Sequence, residues 1–125
     1  MSKDKFLYTK DHEWINKDGD VAYIGITDYA QSELGDIIFV ELPNVGDSFS
    51  MGDVFGTIEA VKTVADLFMP VSGTIVDINN KIEDDPDLIN SDAFNTGWIV
   101  KIKIENSDEC LELLNEKDYL KIINE

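Results

Sequence analysis

The chain has 125 residues, of which 43% are hydrophobic, and its 26 acidic side chains outnumber its 10 basic ones to give a formal net charge of -16. This length and apolar content are typical of one folded domain, residues 1–125, and exclude an intrinsically disordered chain. The negative charge repels nucleic-acid phosphates and anionic lipids, which excludes nucleic acid and membranes as partners and suits docking against basic protein surfaces.

The first part of the chain contains short apolar runs separated by turn signals. The predicted strands cover residues 6–8, 21–26 and 37–42. Thr27 is a predicted N-cap for a short helix over residues 28–34, which Gly35 ends. Gly-Asp pairs, each of them a turn signal, recur at residues 19–20, 35–36, 46–47 and 52–53. Short strands at this spacing predict an all-β sandwich or barrel.

A β-hairpin is predicted in the middle of the chain. Residues 54–58 and 64–69 are two apolar, strand-like runs joined by a few residues, which places Lys62 at or near the hairpin tip. It is the only lysine between Lys17 and Lys81. A long cationic side chain on an exposed turn suits covalent attachment, although most lysines in such places are simply solvated.

The segments after the hairpin contain two more predicted strands. Residues 73–78 open with the same Gly-Thr-Ile triplet as residues 56–58, which hints at two related halves on either side of the hairpin. Residues 81–92 are a predicted acidic loop with one helical turn around residues 86–90. Residues 97–104 alternate apolar and polar side chains at their end, the period of a half-exposed strand.

Two short helices are predicted at the end of the chain. Ser107 is the predicted cap of the first helix and Asn115 that of the second. The apolar face of the second helix is predicted to contain Tyr119, Leu120, Ile122 and Ile123.

The chain has one cysteine, Cys110, which forbids an internal disulfide and favours a reducing compartment. Residues 1–5 contain neither an apolar signal core nor an arginine-rich transit pattern, and no segment has the apolar length of a membrane span. We therefore expect a cytoplasmic protein, and we expect it to be a monomer.

The sequence offers little for catalysis. His12 is its only histidine, so a zinc site of the usual ligands is nearly excluded, and we interpret both His12 and Cys110 as structural residues. Residues 56–63 have the spacing of a phosphate-binding loop, but Val61 stands where that loop needs its second glycine, and Glu59 would repel a phosphate. We therefore predict that the protein is not an enzyme.

Several blocks of sequence, in order, resemble the H protein of the glycine cleavage system, a lipoyl carrier family. The blocks are YTKDHEW at residues 8–14, IGITDYAQ at 24–31, LGDIIFVELP at 34–43, EAVK at 59–62, PVSG at 70–73 and GWIVKI at 97–102, together with Asp66. They span the chain from about Phe6 to Tyr119. Departures are small: Ala60 stands where many members have serine, and Asp11 varies in the family. The resemblance implies a mainly β barrel-sandwich hybrid fold with short peripheral and C-terminal helices.

The resemblance also implies a cofactor and partners. Lipoic acid would be attached as an amide to Lys62, which removes the lysine charge and creates a long arm that ends in a strained dithiolane. The implied partners are a pyridoxal-phosphate-dependent glycine decarboxylase (P protein), which loads an aminomethyl group, a folate-dependent aminomethyltransferase (T protein) and an FAD-dependent dihydrolipoyl dehydrogenase (L protein). A lipoate ligase or a lipoyl/octanoyl transferase would attach the cofactor.

Four further residues receive roles from the resemblance alone. Glu59 and Gly73 match positions that are important for recognition by the lipoylating enzyme. Glu13 and Asp66 match positions that line the cleft in which the family holds the loaded arm.

Other kinds of carrier protein have different residues around their lysine. A biotin carrier is expected to have methionines beside its lysine, where this chain has Val61 and Thr63. The lipoyl domains of ketoacid dehydrogenases usually have aspartate immediately before the lysine. A lipoyl depot, which passes its lipoyl group to other enzymes, and an unmodified binding module both remain open.

Overall fold

A computed structural model describes residues 6–123, so the predicted absence of a signal core in residues 1–5 lies outside the described residues. The strands are β1 (Phe6–Tyr8), β2 (Glu13–Asp18), β3 (Val21–Ile26), β4 (Ile37–Glu41), β5 (Ser48–Phe49), β6 (Val54–Ala60), β7 (Val64–Phe68), β8 (Gly73–Ile78) and β9 (Val100–Ile104). The helices are α1 (Asp28–Leu34), α2 (Asn80–Asp84), α3 (Asp87–Ser91) and α4 (Glu116–Ile123), with a 3-10 helix at Ser107–Glu112. No helix in this described range is long and apolar enough to cross a membrane.

The strands form two antiparallel sheets that share one apolar core. The larger sheet has the order β1-β2-β3-β9-β8-β5, and the smaller sheet has the order β4-β6-β7. Ile24 and Ile102 of the larger sheet and Ile58 of the smaller one are fully buried in that core. The two sheets are not closed into a barrel, and the arrangement confirms the predicted mainly β barrel-sandwich hybrid.

Two of the four Gly-Asp turns are built alike, one on each side of β5. In each, the glycine has a positive φ, its N–H donates to the carbonyl of a buried residue, and that residue's N–H donates back to the aspartate carbonyl. Gly46 and Asp47 bond Ile75 in this way at 2.8 and 2.8 Å, and Gly52 and Asp53 bond Met69 at 2.9 and 2.8 Å. The two turns therefore fix both ends of β5 to the segment that follows the hairpin.

The repeated Gly-Thr-Ile triplets also occupy similar environments. Their glycines, Gly56 in β6 and Gly73 in β8, lie so close to a neighbouring strand that an added Cβ would be 2.5 Å from the carbonyl oxygen of Glu41 and 2.6 Å from that of Lys103. Both sites require glycine because the obstructing atoms belong to the backbone, which cannot move aside cheaply.

A second cluster, made of aromatic side chains, attaches the C-terminal helix to the larger sheet. The rings of Tyr8 in β1 and Tyr119 in α4 stack at 4.6 Å, and the ring of Phe6 stacks on Trp14 at 4.8 Å. The N-cap prediction for α4 is confirmed, since Asn115 Oδ1 accepts from the N–H of Asp118 at 2.8 Å.

The prediction for residues 81–92 was wrong in one respect. The structure has two helices in this region, α2 and α3, where the sequence predicted a loop with one helical turn. Asn79 is the overlooked signal: its Oδ1 accepts from the N–H of Lys81 at 3.2 Å and so caps α2. The same side chain donates to the carbonyls of Thr96 and Trp98, which fastens the helix start to the core.

Smaller corrections concern the C-terminal helices and the strands. Asn106 caps the 3-10 helix that was assigned to Ser107, because its Oδ1 accepts from the N–H of Asp108. On α4 the predicted apolar face is only partly covered: Tyr119 is buried, whereas Leu120 and Ile122 are exposed. Strand β9 begins at Val100 and not at residue 97, and strands β2 and β5 were not predicted.

Candidate functional site

Lys62 lies at the tip of the hairpin formed by β6 and β7, as predicted. The two strands pair up to Glu59 and Val64, and Ala60 N–H donates to the carbonyl of Thr63 at 2.8 Å, which leaves Val61 and Lys62 in the turn. The N–H of Val61 donates to the Asp36 carbonyl at 3.1 Å, so the turn is also held against the residue that precedes β4. The tip therefore has a fixed backbone.

The side chain of Lys62 points away from this fixed base. Lys62 is exposed, whereas Ala60, two residues before it, is only 4% exposed and anchors the turn to the core. Lys62 has no hydrogen-bond or ion-pair partner among residues 6–123. Such an amine is open to acylation, and acylation would break no contact that the structure contains.

The smaller sheet has one buried and one exposed face. Residues directly opposite each other on paired strands project from the same face. The buried face includes the row Val40, Ile58 and Ala65, and the exposed face includes the rows Phe39, Glu59, Val64 and Glu41, Thr57, Asp66. We call these two exposed rows the outer face. Glu59 therefore lies in the row nearest the hairpin tip, with its carboxylate in solvent.

A cleft of about 330 Å³ lies between β7, the start of β2 and helix α1. Its lining includes the buried residues Ile58 and Leu67 and four acidic residues: Asp11, Glu13, Glu33 and Asp66. We call it the acid cleft. The structure thus brings Glu13 and Asp66 to one cavity, although 53 positions of sequence separate them.

Glu13 is the buried member of the acid cleft. It is 2% exposed, and its carboxylate accepts from Thr9 Oγ1 at 2.7 Å and from the N–H of Phe68 at 3.4 Å. Burial raises the pKa of Glu13 to about 7, the charge of Asp11 adds to that rise, and the two hydrogen bonds oppose it. This carboxyl group therefore changes its charge near neutral pH.

Asp66 is the exposed member. It belongs to the outer face, and its carboxylate has no hydrogen-bond or ion-pair partner within residues 6–123. The two acidic residues therefore line the same cavity from different surroundings: Glu13 is buried, and Asp66 is exposed at the rim.

Sequence reasoning did not assign His12 and Tyr119 to this site. His12 lines the acid cleft, and its Nδ1 lies 2.9 Å from the hydroxyl of Tyr119, which is also 2.7 Å from Thr27 Oγ1. The φ of His12 is 69°, an uncommon value for a residue with a side chain. Helix α4 therefore supports one wall of the cleft, and the position of His12 beside Glu13 was the only sequence signal for it.

Gly73 lies apart from the hairpin. It is buried in β8 of the larger sheet, opposite Phe49 and Ile104, and is not part of the outer face. Cys110 is partly buried and packs against the main core, in agreement with its structural interpretation.

Comparisons with known proteins agree with this geometry. The family model for the glycine cleavage H-protein matches residues 6–125. A glycine cleavage system H protein from Bacteroides fragilis is 50% identical over 117 residues, covering 94% of this chain and 93% of its own length. One from Carboxydothermus hydrogenoformans is 49% identical over 118 residues, covering 94% and 91%. The crystal structure of a glycine cleavage system H protein from Mycobacterium marinum matches with a TM-score of 0.88, at 37% identity and 98% coverage of each chain.

Proposed function

The chain belongs to the glycine cleavage H-protein family, whose members are non-catalytic, lipoyl-bearing carriers, and from this premise we propose that Lys62 carries the lipoyl group. The observation that carries the proposal is the exposed, unpartnered amine of Lys62 at the tip of a hairpin whose base is buried. Acylation removes the charge of that amine and costs no existing contact.

The residues around Lys62 fit such a group. The turn backbone is held by the bonds of Ala60 and Val61, so the point of attachment does not move with the arm. When attached, a lipoyl group would supply a strained disulfide that opens to accept the aminomethyl group of glycine, and the dithiol left after that group is released would be reoxidised by the dehydrogenase. The protein itself provides the tether and the surface that partner enzymes recognise.

The proposed partners are three enzymes of glycine cleavage. They are the pyridoxal-phosphate-dependent glycine decarboxylase, the folate-dependent aminomethyltransferase and the FAD-dependent dihydrolipoyl dehydrogenase. A net charge of -16 suits transient docking against basic protein surfaces. A tethered arm has a raised effective concentration at the active site of each enzyme on which the carrier docks. The proposal includes a cytoplasmic monomer, and the lone Cys110 supports that location because it excludes an internal disulfide.

We propose that the acid cleft holds the arm between visits. The loaded arm ends in a primary ammonium, and a carboxylate is the matching partner for that charge. Asp66 lies four residues after Lys62, roughly 13 Å along a strand that rises about 3.3 Å per residue. Glu13 meets the same strand at the N–H of Phe68. An arm folded back along β7 therefore passes the rim carboxylate and approaches the buried one.

Glu59 and Gly73 are proposed to govern recognition by the lipoylating enzyme, which is a lipoate ligase or a lipoyl/octanoyl transferase. Glu59 presents its carboxylate on the outer face beside the tip. Gly73 is buried, so its proposed effect on recognition is indirect. Because it lacks a Cβ, β8 can pack closely against Lys103 of the neighbouring strand in the larger sheet.

The test is the variant Lys62→Arg, which keeps the positive charge and removes the amine that can be acylated. Intact and peptide masses of protein from its native host should show one lipoyl group on Lys62 in the wild type and none in the variant. Glycine decarboxylation with the purified partner enzymes should be lost completely. The matched control is Lys81→Arg on the exposed surface of α2, which should match the wild type in both assays. A lipoyl group on any other lysine, or activity retained by Lys62→Arg, contradicts the proposal.

A further inference from the structure

Four exposed apolar side chains surround the lysine. Ile38 and Phe39 of β4 are 54% and 53% exposed, Val61 in the turn is 68% exposed, and Val64 at the start of β7 is 61% exposed. We call these four residues the tip patch. Exposed apolar residues that gather in one place mark an interaction site more often than scattered ones do.

A β-bulge accounts for two members of the tip patch. Ile37 pairs with Ala60 and Phe39 pairs with Glu59, so Ile38 is an extra residue that has no partner on β6. In a regular strand the side chains alternate between faces, and a bulge interrupts that alternation and redirects them. The consequence here is that two consecutive large side chains are exposed near the lysine instead of one.

Carboxylates lie between and beside the residues of the tip patch, and Lys62 is the only basic residue in this part of the sequence. Glu59 stands between Phe39 and Val64 in one row of the outer face, and Glu41 and Asp66 are in the next row. From Asp36 through Phe68 the only basic residue is Lys62. The surface therefore combines exposed apolar side chains, carboxylates between and beside them, and one amine.

Taking the acylation of Lys62 from the proposed function, we propose that the tip patch is the docking surface of the enzyme that acylates this lysine. That enzyme would contact Phe39 and Val64 with apolar side chains and would place basic side chains opposite the neighbouring carboxylates. A lysine side chain reaches roughly 6 Å beyond its Cα, so an active site that acts on Nζ must cover the tip around it.

Two other occupants fit the surface less well. The enzymes of glycine cleavage react at the far end of the acylated arm, so their active sites do not have to cover the tip patch. In a dimer formed through this surface, the carboxylates of one copy would face those of the other and repel them, and each molecule has a net charge of -16.

The test measures acylation of the unmodified protein by purified lipoate ligase with lipoate and ATP, and by purified octanoyl transferase with its octanoyl donor. The variants are Phe39→Ser and Val64→Thr. The matched control is Val54→Thr, an exposed valine at the opposite end of the same sheet, paired with Phe68. With the enzyme that serves this protein, kcat/KM should fall about tenfold for Phe39→Ser, several-fold for Val64→Thr and less than about twofold for Val54→Thr. The fall should lie in KM, and the thermal midpoints should match the wild type.

Each other outcome counts against the docking proposal. Equal kcat/KM for Val64→Thr and Val54→Thr, with Phe39→Ser also unchanged, shows that the tip patch is not the docking surface, while acylation of Lys62 stands. A defect that appears only with glycine decarboxylase, after the variants have been fully lipoylated, assigns the patch to that partner instead. A concentration-dependent dimer that Phe39→Ser abolishes assigns it to a second copy. No acylation of wild-type Lys62 by either enzyme contradicts the proposed function itself.

Discussion

The outer face and the acid cleft, which we propose both act on the arm at Lys62, place their carboxylates in opposite surroundings. The outer face is built from three strands that are close in sequence, and its carboxylates, Glu59 and Asp66 among them, are solvated. The acid cleft is built from segments that are distant in sequence. Glu13 is buried there, and this burial raises the pKa of its carboxyl group to about 7. In our proposal, a carboxylate guides docking where it stays charged and hydrated, and responds to a bound cation where it is desolvated.

The largest expected effect comes from removing the charge at the buried end of this comparison. Between its ordinary value of 4.5 and about 7, Glu13 is protonated more in the folded state than in the unfolded one, so rising pH favours unfolding. At about 1.4 kcal/mol per pKa unit this amounts to ~3 kcal/mol. Glu13→Gln should therefore gain on the order of 3 kcal/mol relative to the wild type between pH 4 and pH 8.

Urea unfolding of both proteins at the two pH values measures this difference. Asp66→Asn is the matched variant that removes a carboxylate from the exposed region. Parallel pH profiles for Glu13→Gln and the wild type would show that Glu13 is solvated in the folded protein, and the contrast between the two regions would fail.

The next effect separates the two residues proposed to govern lipoylation. In Gly73→Ala the new Cβ would lie 2.6 Å from the Lys103 carbonyl oxygen and 3.0 Å from Ile102 Cδ1, so the variant should lose about 1–3 kcal/mol of stability. Glu59→Ala on the outer face should stay within about 0.5 kcal/mol of the wild type and yet be lipoylated more slowly. Urea midpoints and initial lipoylation rates, measured well below the unfolding transition, give both quantities.

The expected pattern is a crossed one, in which the buried glycine changes stability and the exposed glutamate changes the rate. Slow lipoylation of a Gly73→Ala protein whose midpoint equals that of the wild type would mean that the lipoylating enzyme contacts this position directly.

Local sequence signals were sufficient for the hairpin that carries Lys62. The apolar runs of the hairpin and the turn between them placed Lys62 at the tip, because strand propensity and turn chemistry depend on near neighbours. The bulge at Ile38 could not be predicted in this way, since it is a property of the register between β4 and β6. Helix α2 could have been predicted, because Asn79 is a favourable capping residue.

The acid cleft was beyond such signals. The Glu13 carboxylate accepts from the N–H of Phe68, 55 positions away, and its neighbour His12 contacts the hydroxyl of Tyr119, 107 positions away. No periodicity in the sequence encodes contacts of that separation, and Glu13 and Asp66 were assigned only by their resemblance to family positions. The resemblance did not indicate that one of them is buried and the other exposed.

The smallest expected effect concerns Asp66 at the rim of the cleft. The assay is the spontaneous release of ammonia and formaldehyde from the aminomethyl-loaded carrier, without its partner enzymes. An exposed ion pair contributes ~0.2–1 kcal/mol, so Asp66→Asn should speed release by at most roughly fivefold, and added salt should abolish the difference because it screens an exposed pair. Glu13→Gln should speed release more and should resist salt, because its carboxylate is buried. That larger effect should fade as the pH falls well below 7, where Glu13 in the wild type becomes neutral as well.

Equal and equally salt-sensitive effects in both variants would mean that the arm meets the two carboxylates in the same solvated environment. A salt-resistant effect of Asp66→Asn would mean instead that the loaded arm closes over the rim and draws Asp66 into the buried part of the site.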